Sequence, residues 1–99
     1  MNCNMKGKTL VISGGTKGIG KECVYKFASN GSNVAFTYNS NQQFAEDICK
    51  DVEEKYNVKC KAYPFNILEP EKYKELFEEI DKDFDRVDFF ISNAMIYGR

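Results

Sequence analysis

The stretch Thr9-Leu10-Val11-Ile12-Ser13-Gly14-Gly15-Thr16-Lys17-Gly18-Ile19-Gly20-Lys21 constrains the fold more than any other part of the chain. A short apolar run ends in a glycine-rich turn, and an amphipathic segment begins at once. Strand, tight turn and helix in that order form a phosphate-binding unit of α/β proteins. Glycines let the backbone approach a phosphate, and the unpaired N–H groups of the helix start face its negative charge.

The same alternation of strand and helix signals runs the length of the sequence. Lys8 to Ser13 reads as a buried strand, and Gly18 to Asn30 as a helix with Ile19, Cys23, Val24, Phe27 and Ala28 on one face. Asn30-Gly31 supplies a stop, since glycine accepts the left-handed conformation that ends many helices. Asn33 to Tyr38 is the second strand. Ser40 followed by Gln43 resembles a capping box and opens a helix to about Tyr56, with Phe44, Ala45, Ile48, Cys49, Val52 and Tyr56 as its buried stripe. Val58 to Phe65 is the third strand, and Pro64 near its end points to an edge position. Pro70 suits the first turn of a third helix, whose apolar face is Tyr73, Leu76, Phe77, Ile80 and Phe84. Val87 to Ser92 is the fourth strand.

This β-α-β-α-β-α-β order, with right-handed crossovers, predicts an α/β fold: a Rossmann-type, doubly wound parallel sheet of strand order 3-2-1-4. Residues 1–99 read as a single domain, with 1–5 expected to be disordered and Met5 a candidate natural start. The apolar run Val87-Asp88-Phe89-Phe90-Ile91 has the look of a strand buried on both faces. The predicted order leaves it at an edge, so the domain is expected to be incomplete or covered by another chain.

Composition narrows the function classes. The 14 basic and 15 acidic residues create no field to attract nucleic acid or anionic lipid. No apolar run approaches the ~20 residues of a membrane span, and Met1 to Lys8 lack the apolar stretch of a signal peptide. None of Cys3, Cys23, Cys49 and Cys60 forms a C-x-x-C pair and the chain has no histidine, so no metal site is expected. Cys23, Cys49 and Cys60 read as small core residues, and reduced thiols in a cytoplasmic protein are the expectation.

Two motif readings of the glycine turn compete. Gly15 to Lys21 fits the start of a P-loop, G-x-x-x-x-G-K, but Glu22 stands where that motif needs a hydroxyl for magnesium. Gly14, Gly18 and Gly20 instead form G-x-x-x-G-x-G, a respaced dinucleotide turn; an ordinary tight turn is the plain alternative. Here the chain resembles the short-chain dehydrogenase/reductase family, whose first turn Ser13 to Gly20 matches throughout. The family's N-N-A-G motif after the fourth strand is present in weakened form as Ser92-Asn93-Ala94-Met95. Turn, rhythm and second motif together extend the resemblance over essentially all of the chain, as the first half of a family member.

The resemblance implies a cofactor site. Ser13, Gly14, Gly18, Ile19 and Gly20 would meet the pyrophosphate, Asn66 and Ile67 the adenine, and Asn93 and Ala94 the nicotinamide ribose. Asn66 also reads simply as a turn residue. The second strand ends Tyr38-Asn39-Ser40-Asn41 without the acid that NAD-preferring sites place on the ribose 2′-hydroxyl. NADP(H) is therefore the expected cofactor, with Lys17 meeting the 2′-phosphate and Thr16, Asn39 and Ser40 adding hydrogen bonds. The plain reading of Lys17 is a solvated surface lysine.

The family's proton donor is a tyrosine followed by a lysine four or seven residues on. Tyr25, Tyr56, Tyr73 and Tyr97 lack that partner, so no catalytic residue is assigned within this chain. Met5 to Gly14 and Ser92-Asn93-Ala94 look most like bacterial enoyl- and 3-oxoacyl-acyl carrier protein reductases. The resemblance implies an oxidoreductase of fatty acid synthesis acting on a small-molecule or carrier-bound substrate, with its catalytic half absent from this chain. A non-catalytic nucleotide-binding module and an inactive truncated product are the alternatives. Self-association through the fourth strand is expected if the chain folds alone.

Overall fold

The computed structural model describes residues 5–14, 18–39, 41–65 and 70–92. Strand β1 (Thr9–Ser13) leads to helix α1 (Gly18–Ser29), β2 (Asn33–Tyr38), α2 (Gln42–Tyr56) and β3 (Cys60–Pro64). A 3-10 turn (Pro70–Lys72) precedes α3 (Tyr73–Asp83), and β4 (Phe89–Ser92) follows. All strand pairs are parallel and the order is β3-β2-β1-β4, so the doubly wound α/β expectation holds.

The period of two along each strand divides the core. Leu10, Ile12, Val34 and Phe36 pack with Val24 and Ala28 of α1 and Ala45, Ile48 and Val52 of α2. Val11, Ala35 and Tyr63, with Phe65 just beyond β3, meet Leu76 and Ile80 of α3 and Phe84 beyond it. Helices α1 and α2 therefore cover one face of the sheet and α3 the other. Among the described residues β4 pairs with β1 alone, and Phe90 on it is 48% exposed.

Several boundaries differ from the pattern in the sequence, each for a local reason. Helix α2 is capped by Asn41, whose Oδ1 accepts the Phe44 N–H at 3.1 Å. The proposed Ser40–Gln43 box does not open the helix: Gln43 donates instead to Asp47 at 3.0 Å, and Ser40 lies outside the described residues. Phe44 is 38% exposed rather than part of the buried stripe. Strand β3 starts at Cys60, not Val58, because Asn57 turns left-handed at φ 57° to close α2 and Lys59 N–H goes to the Asn33 side chain. Strand β4 starts at Phe89 because Asp88 is occupied at the sheet's end: its carboxylate accepts the Thr9 N–H, and its own N–H donates to the Thr9 carbonyl. Pro70 opens a 3-10 turn, and the α-helix proper begins at Tyr73. Of residues 1–5, expected to be disordered, 1–4 lie outside the described residues, and the Met5 N–H donates to the Asn30 carbonyl at 2.9 Å.

Three carboxylates clamp neighbouring elements together. Tyr25 donates to Asp51 between α1 and α2, and Tyr63 donates to Asp83 between β3 and α3, both at 2.6 Å. These hydroxyls hold Asp51 and Asp83 below the usual carboxylate range, and Arg86 does the same for Asp88 with help from the Thr9 amide. A lowered folded pKa stabilises the fold above the unfolded carboxylate value and is lost as pH falls through the folded one. Burial, and then the carboxylate partner, push Tyr25 and Tyr63 upward, so their contribution is present below the ordinary tyrosine value and lost as pH rises. The urea midpoint of the protein is expected to fall below about pH 4 and again above about pH 10. The double substitution Tyr25→Phe/Tyr63→Phe should flatten the alkaline limb; an unchanged alkaline limb would contradict the assignment.

Candidate nucleotide-binding site

The strand order places a crevice at the C-terminal ends of β1 and β4. The strand order reverses there, with α1 and α2 on one face of the sheet and α3 on the other, and such switch points are where open α/β sheets hold ligands. Register brings Ser13 of β1 level with Ser92 of β4. Gly14 follows with φ +79°, and Gly18 begins α1 with φ +61°, a backbone region in which side chains are strained. Among the described residues, no atom lies within 4 Å of where a Cβ at Gly18 would stand. The first turn of α1 contains no acid, which leaves its N–H groups and helix dipole facing that space uncompensated by a carboxylate.

One hydrogen bond ties the turn to the sheet, and one buried hydroxyl lies beside it. Gly14 N–H donates to Thr37 Oγ1 at 2.9 Å, anchoring the turn to β2 across 23 residues of sequence. Thr37 is only 3% exposed. The Ser13 hydroxyl is buried and finds no hydrogen-bond partner among the described residues. A buried hydroxyl at the end of β1, a glycine turn and an acid-free helix start together suit a bound phosphate.

Of the residues predicted from sequence, Ser13, Gly14, Gly18, Gly20 and the backbone of Ile19 come together at this turn. Tyr38 and the exposed Asn39 stand at the neighbouring end of β2, and neither brings a negative charge. Thr16, Lys17, Ser40, Asn66, Ile67, Asn93 and Ala94 lie outside the described residues. Asn39 also borders an open pocket of about 380 Å³ with Pro64, Phe65, Lys72, Glu75 and Glu79. Two carboxylates against one ammonium make that pocket a poor place for an anion.

Sequence reasoning missed two contributors. Thr37 is found only through the β1–β2 register, which pairs Ile12 with Phe36 and so carries Thr37 beside the turn. Lys21 of α1 lies with its Nζ 5.2 Å from the centre of the Phe44 ring, placing a cation between the starts of α1 and α2. Tyr25 and Tyr63 spend their protons on carboxylates and are shifted upward, opposite to what a proton donor at neutral pH requires.

Comparison with known proteins decides the family. Residues 8–99 match the sequence signature of the short chain dehydrogenases. The chain belongs to that family. It is 41% identical over 93 residues to the NADP-dependent mannitol dehydrogenase of Alternaria alternata, covering 92% of this chain and 35% of that enzyme. It is 34% identical over 96 residues to the 3-oxoacyl-(acyl-carrier-protein) reductase of Aquifex aeolicus (strain VF5), covering 97% of this chain and 38% of the relative. The fold matches the NADPH-dependent 3-quinuclidinone reductase of Rhodotorula rubra with a TM-score of 0.81 and 34% identity, over 88% of this chain and 32% of that one. This short-chain dehydrogenase chain thus spans about a third of the length of the relatives it matches. No helix among its described residues is long and apolar enough to cross a membrane.

Substitutions at the turn should separate charge from strain. Gly18→Asn tolerates the left-handed backbone and adds no charge, whereas Gly18→Asp sets a carboxylate where the phosphate would lie. Nucleotide affinity is expected to survive Gly18→Asn within about tenfold and to vanish in Gly18→Asp; equal affinities by calorimetry would refute the site. Thr37→Val removes the acceptor for the Gly14 amide, worth about 1 kcal/mol, and should weaken binding about fivefold.

Proposed function

We propose that this chain is the NADPH-binding first part of a short-chain reductase, with the proton-donating residues contributed from outside it. The observation that carries the reading is the glycine turn at the β1–β4 crevice, locked by the Gly14–Thr37 hydrogen bond and opening onto an acid-free α1. NADPH over NADH is favoured because β2 ends in Tyr38-Asn39 with no acid to repel a 2′-phosphate. Thr16, Lys17, Asn39 and Ser40 are proposed to surround that phosphate, Asn66 and Ile67 the adenine, and Asn93 and Ala94 the nicotinamide ribose. When bound, the cofactor supplies hydride to a carbonyl carbon. The residues of this chain bind and orient it and move no proton themselves.

For the substrate, the 41% identity to a mannitol dehydrogenase favours the carbonyl of a small polyhydroxylated molecule. The 34% identity to a 3-oxoacyl reductase supports the second reading, an acyl group on a carrier protein as in fatty acid synthesis. We place the enzyme in the cytoplasm. The exposed outer edge of β4, with Val87 39% and Phe90 48% exposed, is proposed to be covered by the rest of the protein or by a second copy.

The protein that carries this chain should bind NADPH at least about tenfold more tightly than NADH, a difference of about 1.4 kcal/mol. Fluorescence titration measures this directly, and comparable binding of the two overturns the cofactor assignment. NADP⁺-dependent oxidation of mannitol against NADPH-dependent reduction of a 3-oxoacyl thioester separates the two substrate classes. Tight binding without turnover of either would favour a nucleotide-binding module.

A further inference from the structure

The Cys60 thiol of β3 donates a hydrogen bond to the Cys49 Sγ of α2 at 3.6 Å, joining two free thiols. The contact is held from both sides. Glu53, one turn after Cys49 on the same face of α2, accepts the Cys60 N–H through Oε2 at 3.0 Å. On the sheet side, the preceding residue is pinned to β2: Lys59 N–H donates to Asn33 Oδ1 and its carbonyl accepts from Val34, both at 2.9 Å. Cys49 is half-buried, and Cys60 is 3% exposed. Bond formation requires the sulfurs to approach by only about 1.5 Å from their present contact.

We propose that Cys49 and Cys60 are an oxidative modification site: a dithiol that closes to a reversible disulfide, stapling the middle of α2 to the start of β3, with a low-molecular-weight disulfide as oxidant. The more accessible Cys49, as thiolate, attacks one sulfur of the oxidant, forming a mixed disulfide and expelling one thiolate. Cys60, once deprotonated, attacks Cys49 Sγ; the protein S–S bond forms, the mixed disulfide breaks and a second thiol leaves. The protein dithiol loses two electrons and two protons, and the oxidant becomes two thiols. In the dithiol state the hydrogen bond to Cys49, then burial, push the Cys60 thiol upward. Cys23, also half-buried in the same core, has no thiol contact among those described and stays reduced.

The test equilibrates the native protein that carries this chain with oxidised glutathione, followed by intact-mass measurement and tryptic mapping without reduction. The expected result is a loss of about 2 Da with no retained glutathione, and a linked pair joining the peptide that ends at Lys50 to Cys60-Lys61. Cys60→Ala should trap the mixed disulfide on Cys49, while Cys23→Ser should leave the linkage intact. Full alkylation of both thiols after oxidation, or a linkage mapped to Cys3 or Cys23, would overturn the proposal. The wild-type map decides even if a variant fails to fold.

Discussion

Because β1 is buried on both faces and bonded along both edges, its placement governs the rest of the molecule. All five of its residues are buried, with Leu10 and Ile12 turned to the α1–α2 side and Val11 to the α3 side. A one-residue slip would exchange those faces, so the core dictates the register. That register sets Ser13 level with Ser92 and brings Thr37 to the Gly14 amide. The phosphate turn therefore inherits its geometry from hydrophobic packing beneath it, and only then from the glycines that permit its backbone angles.

Charge is distributed in keeping with that arrangement. Asp88 meets Thr9 at the N-terminal edge of the sheet, and Asp83 borders Thr9 and Asn33 at the same edge. Asp51 is bound to Tyr25 between helices. These carboxylates join neighbouring elements, and none lies in the first turn of α1, where a negative charge would compete with a phosphate. The same bonds remove Tyr25 and Tyr63 from consideration as acids. Identity to a mannitol dehydrogenase and to a 3-oxoacyl reductase, each matched over about a third of its length, fits a shared nucleotide unit joined to different substrate regions.

The thiol pair shows how a packed interior brings together groups that composition describes only as small apolar residues. Cys49 and Cys60 each suit a core position on their own account. Their contact arises because α2 ends in a left-handed Asn57 and the chain turns back at once, so β3 begins directly against the helix it has just left.

Much of this architecture is local in origin and was legible in the sequence. Apolar periods of two and of about 3.6 mark the strands and helices, and with right-handed crossovers they imply the order β3-β2-β1-β4. The glycine spacing, the missing acid after β2 and the missing tyrosine–lysine pair are likewise written in adjacent residues. Where several neighbours offered the same local chemistry, pattern was insufficient: Asn41 rather than Ser40 caps α2, and Phe44 lies outward beneath Lys21 instead of joining the buried stripe. The Thr37 anchor, the three carboxylate clamps and the Cys49–Cys60 contact were decided by tertiary structure alone. Propensity and periodicity act over a few residues, whereas these contacts join groups from different elements. Only the packing of helix on sheet, and strand beside strand, brings them within reach.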